Sequence, residues 1–331
     1  MRHDQPLVSF VIPVRNGAAR LQACLASIKK DTYPADRVEI LVADNGSTDD
    51  TALVAEAAGA RVLFVPELSV AAVRNIAARE AAGDVLAFVD ADHEIDPGWI
   101  CSAVEALRTP GVVGVGAPYY PPKDGTWVQR MYDGFRDHRS ESGPVEWLGS
   151  GNLAVTRSVF IAAGGFDDRL ETCEDVDLCQ RLRMKGGQLM QEPRMRTTHF
   201  GDPATLKALF LGELWRGRDN IRASLWAPLT WRSLPSVVIP MTDLALVAVA
   251  GVGMLTAYWS GIWFPALALL MLGALAGLRA GVMLRRMKTM TVKDAIQALA
   301  VAAVYDLARA LAPVCPGSHV ARQRSAVPAH A

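Results

Sequence analysis

The sequence predicts an α/β domain, a mostly parallel sheet flanked by helices, followed by a transmembrane helical hairpin. Three observations carry this. Short apolar runs alternate with helical patterns over residues 1–202, the arrangement of strand–helix–strand units. Each run ends in a cluster of polar residues. From Leu244 to Leu278 no residue is charged.

The elements follow in order. Leu7–Val14 is an apolar run ended by Asn16-Gly17, with a helical pattern through Ile28. Val38–Ala43 is a second strand, stopped by Asp44-Asn45-Gly46. Helix 49–58, strand Arg61–Val65, helix 70–82 and strand Val85–Val89 come next, the last stopped by Asp90-Ala91-Asp92. Further on, Asp175–Lys185 is helical and Arg196–Thr198 is a short strand before His199. Ligands of open parallel sheets bind outside the carboxyl ends of strands, where Arg15-Asn16, Asp44-Asn45 and Asp90-Ala91-Asp92 fall.

The uncharged stretch is too long for one span: as a single helix it would reach about 50 Å against a hydrocarbon core of about 30 Å. It divides into spans near 237–257 and 262–283, with aromatics at Tyr258, Trp259 and Trp263 in the turn, as at a membrane–water interface. The turn has no Lys or Arg. Arg216, Arg218, Arg222 and Arg232 precede the first span, and Arg285, Arg286, Lys288 and Lys293 follow the second. Positive charge on both flanks places the whole N-terminal region in the cytoplasm. Ile296, Leu299, Ala303, Leu307 and Leu311 repeat at near-helical spacing, so 294–312 reads as an amphipathic helix on the membrane surface; a third span would put Arg322 and Arg324 outside. Lys207 and four arginines mixed with Trp215, Trp226 and Trp231 make 204–233 a second surface-lying segment. The expected organisation is a cytosolic domain over 1–202, an interfacial linker over 203–236, two spans within 237–283, and a cytosolic amphipathic helix with a tail over 284–331.

Composition excludes some classes. Lys+Arg and Asp+Glu both number 34, so the basic excess of a nucleic-acid protein is missing. Five scattered cysteines without a CxxC pair fit reduced thiols better than a disulfide framework. The first residues, before Leu7, hold no apolar run of the kind a secretory signal carries.

Two carboxylates at a strand end, Asp90 and Asp92, point the same way on an extended backbone and can hold Mg²⁺ or Mn²⁺, substrate phosphates completing the shell. Glu174, Asp175 and Asp177 open a helix. Thr172 and Asp175 have the spacing of a capping box, which would hold the Asp175 carboxyl low and charged, as a general base also requires. Gly149-Ser150-Gly151-Asn152 and Gly164-Gly165-Phe166 are tightly turned backbone that lets substrate approach closely.

The segments SFVIPVRN (9–16), EILVADNGSTDD (39–50), VRNIAAREAAGDVLAFVDAD (73–92), GSGNLAVTRSVFIAAGGFD (149–167) and CEDVDLCQRLRMKGG (173–187) resemble family 2 glycosyltransferases in order and spacing. The resemblance implies a Rossmann-like GT-A fold, a UDP- or GDP-sugar donor, a divalent cation and an inverting single displacement. It implies that Pro13, Arg15, Asp44 and Asn45 line the nucleotide pocket, Asn45 standing where the family has a second acid. It implies that Arg74 faces the diphosphate, that Asp90 and Asp92 form the DxD motif with Asp92 the more direct metal ligand, and that Asp175, following Glu174, is the catalytic base. Gly165 and Phe166 match a GGF turn beside donor and acceptor, with Gly151, Asn152 and Glu174 in the same acceptor region. His199 stands where related enzymes put a histidine near the metal; the other five histidines read as surface residues.

Processive synthases of the family carry a Q-x-x-R-W motif before channel-forming spans. Here the region reads Glu213-Leu214-Trp215-Arg216-Gly217-Arg218 and two spans follow, so the expectation is a single transfer to a membrane-held acceptor, a polyprenyl-linked saccharide or another lipid, at the inner face of a bacterial-type plasma membrane during envelope polysaccharide assembly. The alternatives are a metal-dependent nucleotidyltransferase, whose glycine-rich loop after the first strand is missing, and an inactive membrane scaffold of the same fold.

Overall fold

The computed structural model describes residues 5–220, 234–256, 262–287 and 291–315. Tyr258, Trp259, Arg222, Arg232, Trp226, Trp231, Lys288, Arg322 and Arg324, used above to orient the membrane segment, lie outside the described residues, as do His3, His319 and His330. The described chain divides into two compact units. The first holds residues up to Pro122 and His138–Gly201; the second holds Lys123–Asp137 and the residues from Asp202 onward.

The first unit is built on β1 (Val8–Val14), β2 (Val38–Asp44), β3 (Arg61–Phe64), β4 (Val85–Val89), β5 (His93–Ile95), β6 (Val112–Gly116), β7 (Gly143–Val145), β8 (Asn152–Thr156), β9 (Gln188–Gln191) and β10 (Thr197–His199). Eight strands form one sheet in the order β3-β2-β1-β4-β8-β6-β9-β7, and β10 pairs with β5 in a second. The β3-β2-β1-β4 half is parallel. Its middle strands are buried on both faces, which is why β1 and β4 read as continuous apolar runs. The strand β8 is antiparallel to both its neighbours, β4 and β6, making the sheet mixed.

Helices α1 (Ala18–Lys29), α2 (Thr51–Ala57), α3 (Val70–Glu80), α4 (Trp99–Leu107), α6 (Arg157–Ala162) and α7 (Glu174–Met184) belong to this unit, with α5 (Trp127–Asp133) in the other. One apolar cluster packs Phe10, Leu21, Leu25, Ile100 and Trp99; the other packs Phe88, Phe160, Phe166, Leu153 and Leu178. The parallel register Val14↔Asp44 brings the ends of β1 and β2 level. Their following loops are stitched together: Asn16 N–H donates to Ser47 Oγ (2.9 Å), and Thr48 N–H donates to Asn16 Oδ1 (2.7 Å). Asn16 needs a positive φ of 52° there, which asparagine tolerates better than most residues. Among the cysteines, Cys24 and Cys179 are buried and Cys101 is exposed; all described cysteines are free thiols.

The second unit contains α5, α8 (Leu206–Arg216), α9 (Pro235–Leu255), α10 (Trp263–Arg285) and α11 (Val292–Leu311). Helices α9 and α10, of 21 and 23 residues, are long and apolar enough to cross a membrane. At 1.5 Å per residue they reach about 32 and about 35 Å. Most of their large apolar side chains face outward, Leu255, Phe264, Leu270 and Leu278 among them. Their ends differ by one or two residues from the expected spans. The middle segment 123–137 was read as part of the first block, but α5 packs on α11. Thr126 and Gln129 close a capping box at its start, and Arg136 pairs with Asp202 through both guanidinium nitrogens (2.6 and 2.8 Å).

Helix α11 forms where the spacing predicts, with the apolar stripe turned outward. Ala298, Val301, Ala302, Asp306 and Ala310 pack inside, while Ile296 is 65% exposed and Leu299, Ala303 and Leu307 point out with it. Small residues permit close approach to α8, α9 and α10, and the ion pair of Arg279 with Asp306 (2.6 Å) draws the polar position inward. Helix α8, inside the expected linker, packs on α11 as well.

Candidate functional site

Two clusters form at the carboxyl ends of the parallel strands. The first is made by the β5–β10 pair, whose antiparallel register sets His93 directly opposite His199. Asp92, one residue before β5, lies 3.4 Å from His199 (Oδ2 to Nε2). One ligand atom from each of Asp92, His93 and His199 falls within 4.8 Å of the others. Both imidazoles are buried, with ring centroids 4.5 Å apart, and Tyr119 packs edge-on against each. Behind them, Thr197 Oγ1 lies 3.2 Å from His93 Nδ1, an outer partner that fixes the ring and leaves Nε2 facing inward. Burial works to raise the Asp92 carboxyl, but the contact with His199 outweighs it and holds the group below its ordinary range.

The donor set fits a divalent cation: one carboxylate oxygen and two imidazole nitrogens, with room beside them. Glycines make that room. A Cβ on Gly201 would meet Asp92 Oδ2 at 2.1 Å and His199 Nε2 at 2.7 Å, and a Cβ on Gly151 would meet Asp90 Oδ2 at 2.8 Å and His93 Nε2 at 3.1 Å.

The second cluster is a chain of ions. Arg74, on α3 and 3% exposed, donates to Asp90 Oδ1 (2.6 Å) and to Glu174 Oε1 (2.7 Å). Its guanidinium lies 5.7 Å from the Phe166 ring centroid. Ser150 Oγ also donates to Glu174 (3.3 Å). Asp175, the next residue, accepts from Val176 N–H (2.8 Å) and Ser150 N–H (3.4 Å). Burial, then the charge of Glu174, push the Asp175 carboxyl up to about 7. The loop 149–151 is common to both clusters, because Gly149 faces Asp175 Oδ2 (3.8 Å from a built Cβ) as Gly151 faces Asp90.

Residues 9–162 match the model of glycosyl transferase family 2. Those residues form a family 2 glycosyltransferase domain. It is 31% identical over 197 residues to the glycosyltransferase AglE of Haloferax volcanii, covering 57% of this chain and 61% of that protein. It is 30% identical over 224 residues to validoxylamine A glucosyltransferase of Streptomyces hygroscopicus, covering 55% and 52%. The chain thus spans less than two thirds of the length of these curated relatives. Among solved structures, the mannosyltransferase PcManGT of Pyrobaculum calidifontis, in complex with GDP-Man and Mn²⁺, superposes with a TM-score of 0.57 at 18% identity, covering 90% of this chain and 86% of that one, a likeness of fold.

Within this domain several expected roles change. His93, grouped with surface histidines on sequence, is buried in the cation cluster; its position directly after Asp-Ala-Asp was the available signal. His138 is half-buried and stacks on Tyr120. His199 lies inside β10 rather than after it. Asp90, expected as a metal ligand, spends one oxygen on Arg74, and Arg74, expected at the diphosphate, is enclosed by two carboxylates.

Other positions are consumed by the scaffold. Asn152 accepts from Trp99 Nε1 (2.7 Å) and donates to the carbonyls of Ala117 and Met195, so it braces the sheet rather than facing an acceptor. The Asn45 amide is taken by both backbone groups of Leu68. Gly165 and Phe166 form a turn pinned to Asn75 by two 2.8 Å bonds, with Phe166 in the core; a Cβ on Gly165 would meet Asn75 Oδ1 at 2.5 Å. The capping box expected from Thr172 and Asp175 gives way to an N-cap at Cys173 with φ of 63°, and Asp175 is raised instead of lowered. At the β1 and β2 ends, Arg15 is exposed, Pro13 half-buried, and Asp44 buried with its Oδ1 accepting from Ser47 N–H (2.8 Å).

Proposed function

We propose that this chain transfers a sugar, with inversion, from a nucleoside-diphosphate sugar to a hydroxyl of a membrane-held acceptor. The observation that carries the reading is the pairing around one glycine loop of a cation-fitting Asp-His-His cluster with a half-buried carboxylate raised toward neutral pH. Acid and metal chemistry are thereby offered to one substrate, and perturbed carboxylates of this kind mark sites of proton transfer.

Asp92, His93 and His199 would hold the cation, with imidazole nitrogen favouring Mn²⁺ over Mg²⁺, which takes oxygen ligands. When bound, the cation neutralises charge on the leaving diphosphate. Asp44, Pro13 and Arg15, at the ends of β1 and β2, would receive the nucleoside. Asp175 takes the proton of the acceptor hydroxyl as that oxygen attacks the anomeric carbon. Arg74 keeps Asp90 and Glu174 paired, so that Asp175 is the carboxylate left to accept a proton.

The relatives and the fold neighbour named above handle sugars, and the neighbour was solved with GDP-Man and Mn²⁺, which supports a nucleotide-sugar donor here. The membrane part of the reading is that α9 and α10 span the inner membrane with the catalytic unit on its cytoplasmic side, the outward stripe of Ile296, Leu299 and Leu307 meeting lipid. The test is a titration of UDP- and GDP-sugars into the full chain in nanodiscs, with and without Mn²⁺. Metal-dependent donor binding that disappears in Asp92→Ala, together with transfer that disappears in Asp175→Asn while donor binding persists, is expected. Turnover retained in Asp175→Asn removes Asp175 from the role of base.

A further inference from the structure

Beside the cation cluster stands an arginine that no acid holds. We propose that Arg20, held over the Phe200 ring, grips the diphosphate of the nucleotide-sugar donor. This deepens the transfer reading above and rests on it.

The placement comes from α1, a regular helix on which residues 20, 24 and 27 share one face. That face lies along the segment leading from β4 into β5. Ile95 N–H donates to Ser27 Oγ (3.0 Å), and Cys24 Sγ donates to the Asp90 carbonyl (3.8 Å). Burial, then the charges of Asp92 and Asp90, push the Cys24 thiol up, so this face is within range of both carboxylates. Arg20 stands one turn before Cys24, in the first turn of the helix. Its guanidinium carbon is 4.3 Å from the centroid of the Phe200 ring. Phe200 follows His199 directly, and its N–H donates to the Asp92 carbonyl (2.9 Å). The ring under Arg20 thus belongs to a residue bonded to one member of the cation cluster and adjoining another.

The chemistry selects the ligand. Arg20 is exposed, and among the described residues no carboxylate pairs with it and no hydrogen bond uses its N–H donors. A surface guanidinium over an aromatic ring is ordinary by itself. This one is set apart by where it stands and by what its neighbour cannot do: Arg74, expected at the diphosphate, is enclosed by Asp90 and Glu174. A nucleoside diphosphate brings negative charge up to Asp90 and Asp92, so a second cation beside the metal has work there. The planar fork of an arginine matches phosphate oxygens two at a time, and contact with a ring limits the freedom the side chain loses on binding.

The full chain in nanodiscs with Mn²⁺ is titrated by calorimetry with UDP and GDP. The better of the two is compared with its free nucleoside and with geranyl diphosphate, a lipid diphosphate. Arg20→Gln is expected to weaken the nucleoside diphosphate about tenfold or more, the usual worth of charge-assisted hydrogen bonds, with Arg20→Lys intermediate because it keeps the charge and loses the fork. Phe200→Leu should weaken it less, by freeing the arginine. In the Arg20 variants, binding of the free nucleoside and of Mn²⁺ alone should stay within about twofold of wild type, with ligand-free Tm unchanged, as for an exposed side chain. Unchanged nucleoside diphosphate affinity in Arg20→Gln overturns the assignment. So does an equal loss for the free nucleoside, the mark of a base or ribose contact, and so does a loss confined to geranyl diphosphate, the mark of a lipid-linked acceptor. Wild-type protein that binds neither UDP nor GDP sinks the transfer reading, and the role of Arg20 with it; wild-type protein that binds one of them no better than Arg20→Gln does sinks the role of Arg20 alone.

Discussion

Each unit buries a cluster of charges, and the two clusters are balanced differently. In the first unit one guanidinium, Arg74, serves two carboxylates, Asp90 and Glu174, with a third, Asp175, beside them. In the second unit one carboxylate, Glu213, fully buried, receives Arg309 Nε (2.7 Å), Arg216 (2.9 Å) and the Tyr132 hydroxyl (2.6 Å). Burial works to raise both acids. At Glu213 the two arginines win and the carboxyl lies below its usual range; at Asp175 burial and Glu174 win and it lies above. The difference teaches that the count of opposing charges, more than burial, separates a cluster that holds its acid charged from one that holds an acid near neutrality.

Breaking each cluster should give opposite signatures. Asp175→Asn is expected to lower transfer by about 10²–10⁴-fold, the usual worth of a general base, without lowering Tm, since it relieves crowding of like charges; a fall in both together would erase the contrast. Glu213→Gln should do the reverse, costing the second unit about 3–5 kcal/mol by leaving two guanidiniums under-paired, while kcat per folded molecule holds. Thermal unfolding in nanodiscs reads this directly.

Finer variants sharpen the comparison. Thr197→Val removes the outer partner of His93 and should weaken Mn²⁺ affinity about 10–100-fold by calorimetry, with donor-free Tm little moved. The smallest effect is in pH. As the proposed base, Asp175 would have to be deprotonated, and its pKa is raised to about 7, so the transfer rate should climb as pH rises through neutrality and fall below it. Glu174→Gln deletes the neighbouring charge and should carry this limb toward lower pH; Arg74→Gln removes a stabilising cation and should carry it higher. A limb that ignores both variants would detach Asp175 from the ion chain.

Much of this was legible in the chain itself. The fully buried strands β1 and β4 announce themselves as apolar runs, Ser69 caps α3 where the helical pattern begins, and α9 and α10 are unmistakable in hydrophobicity. Asp90 and Asp92 stand out as a pair of acids after the apolar run of β4, and Asp175 as an acid in the first turn of a helix.

His93 was not legible, because its role depends on β5 and β10 pairing across more than a hundred residues, and strands of three residues leave too short a pattern to read. The same holds for Asn152, whose partners Trp99, Ala117 and Met195 come from three separate segments.

By itself, the sequence determined the strands β1 to β4 with the helices between them and the apolar spans, and which residue types could do acid and metal chemistry, since period, hydrophobicity and side-chain chemistry are local properties. Only the tertiary structure decided who stands beside whom: that His93 joins Asp92 and His199, that Arg74 is enclosed by acids, and that Asp175 is raised while Glu213 is lowered. A carboxylate's proton affinity is set by the charges and solvent around it, and those neighbours arrive from distant parts of the chain only when it folds.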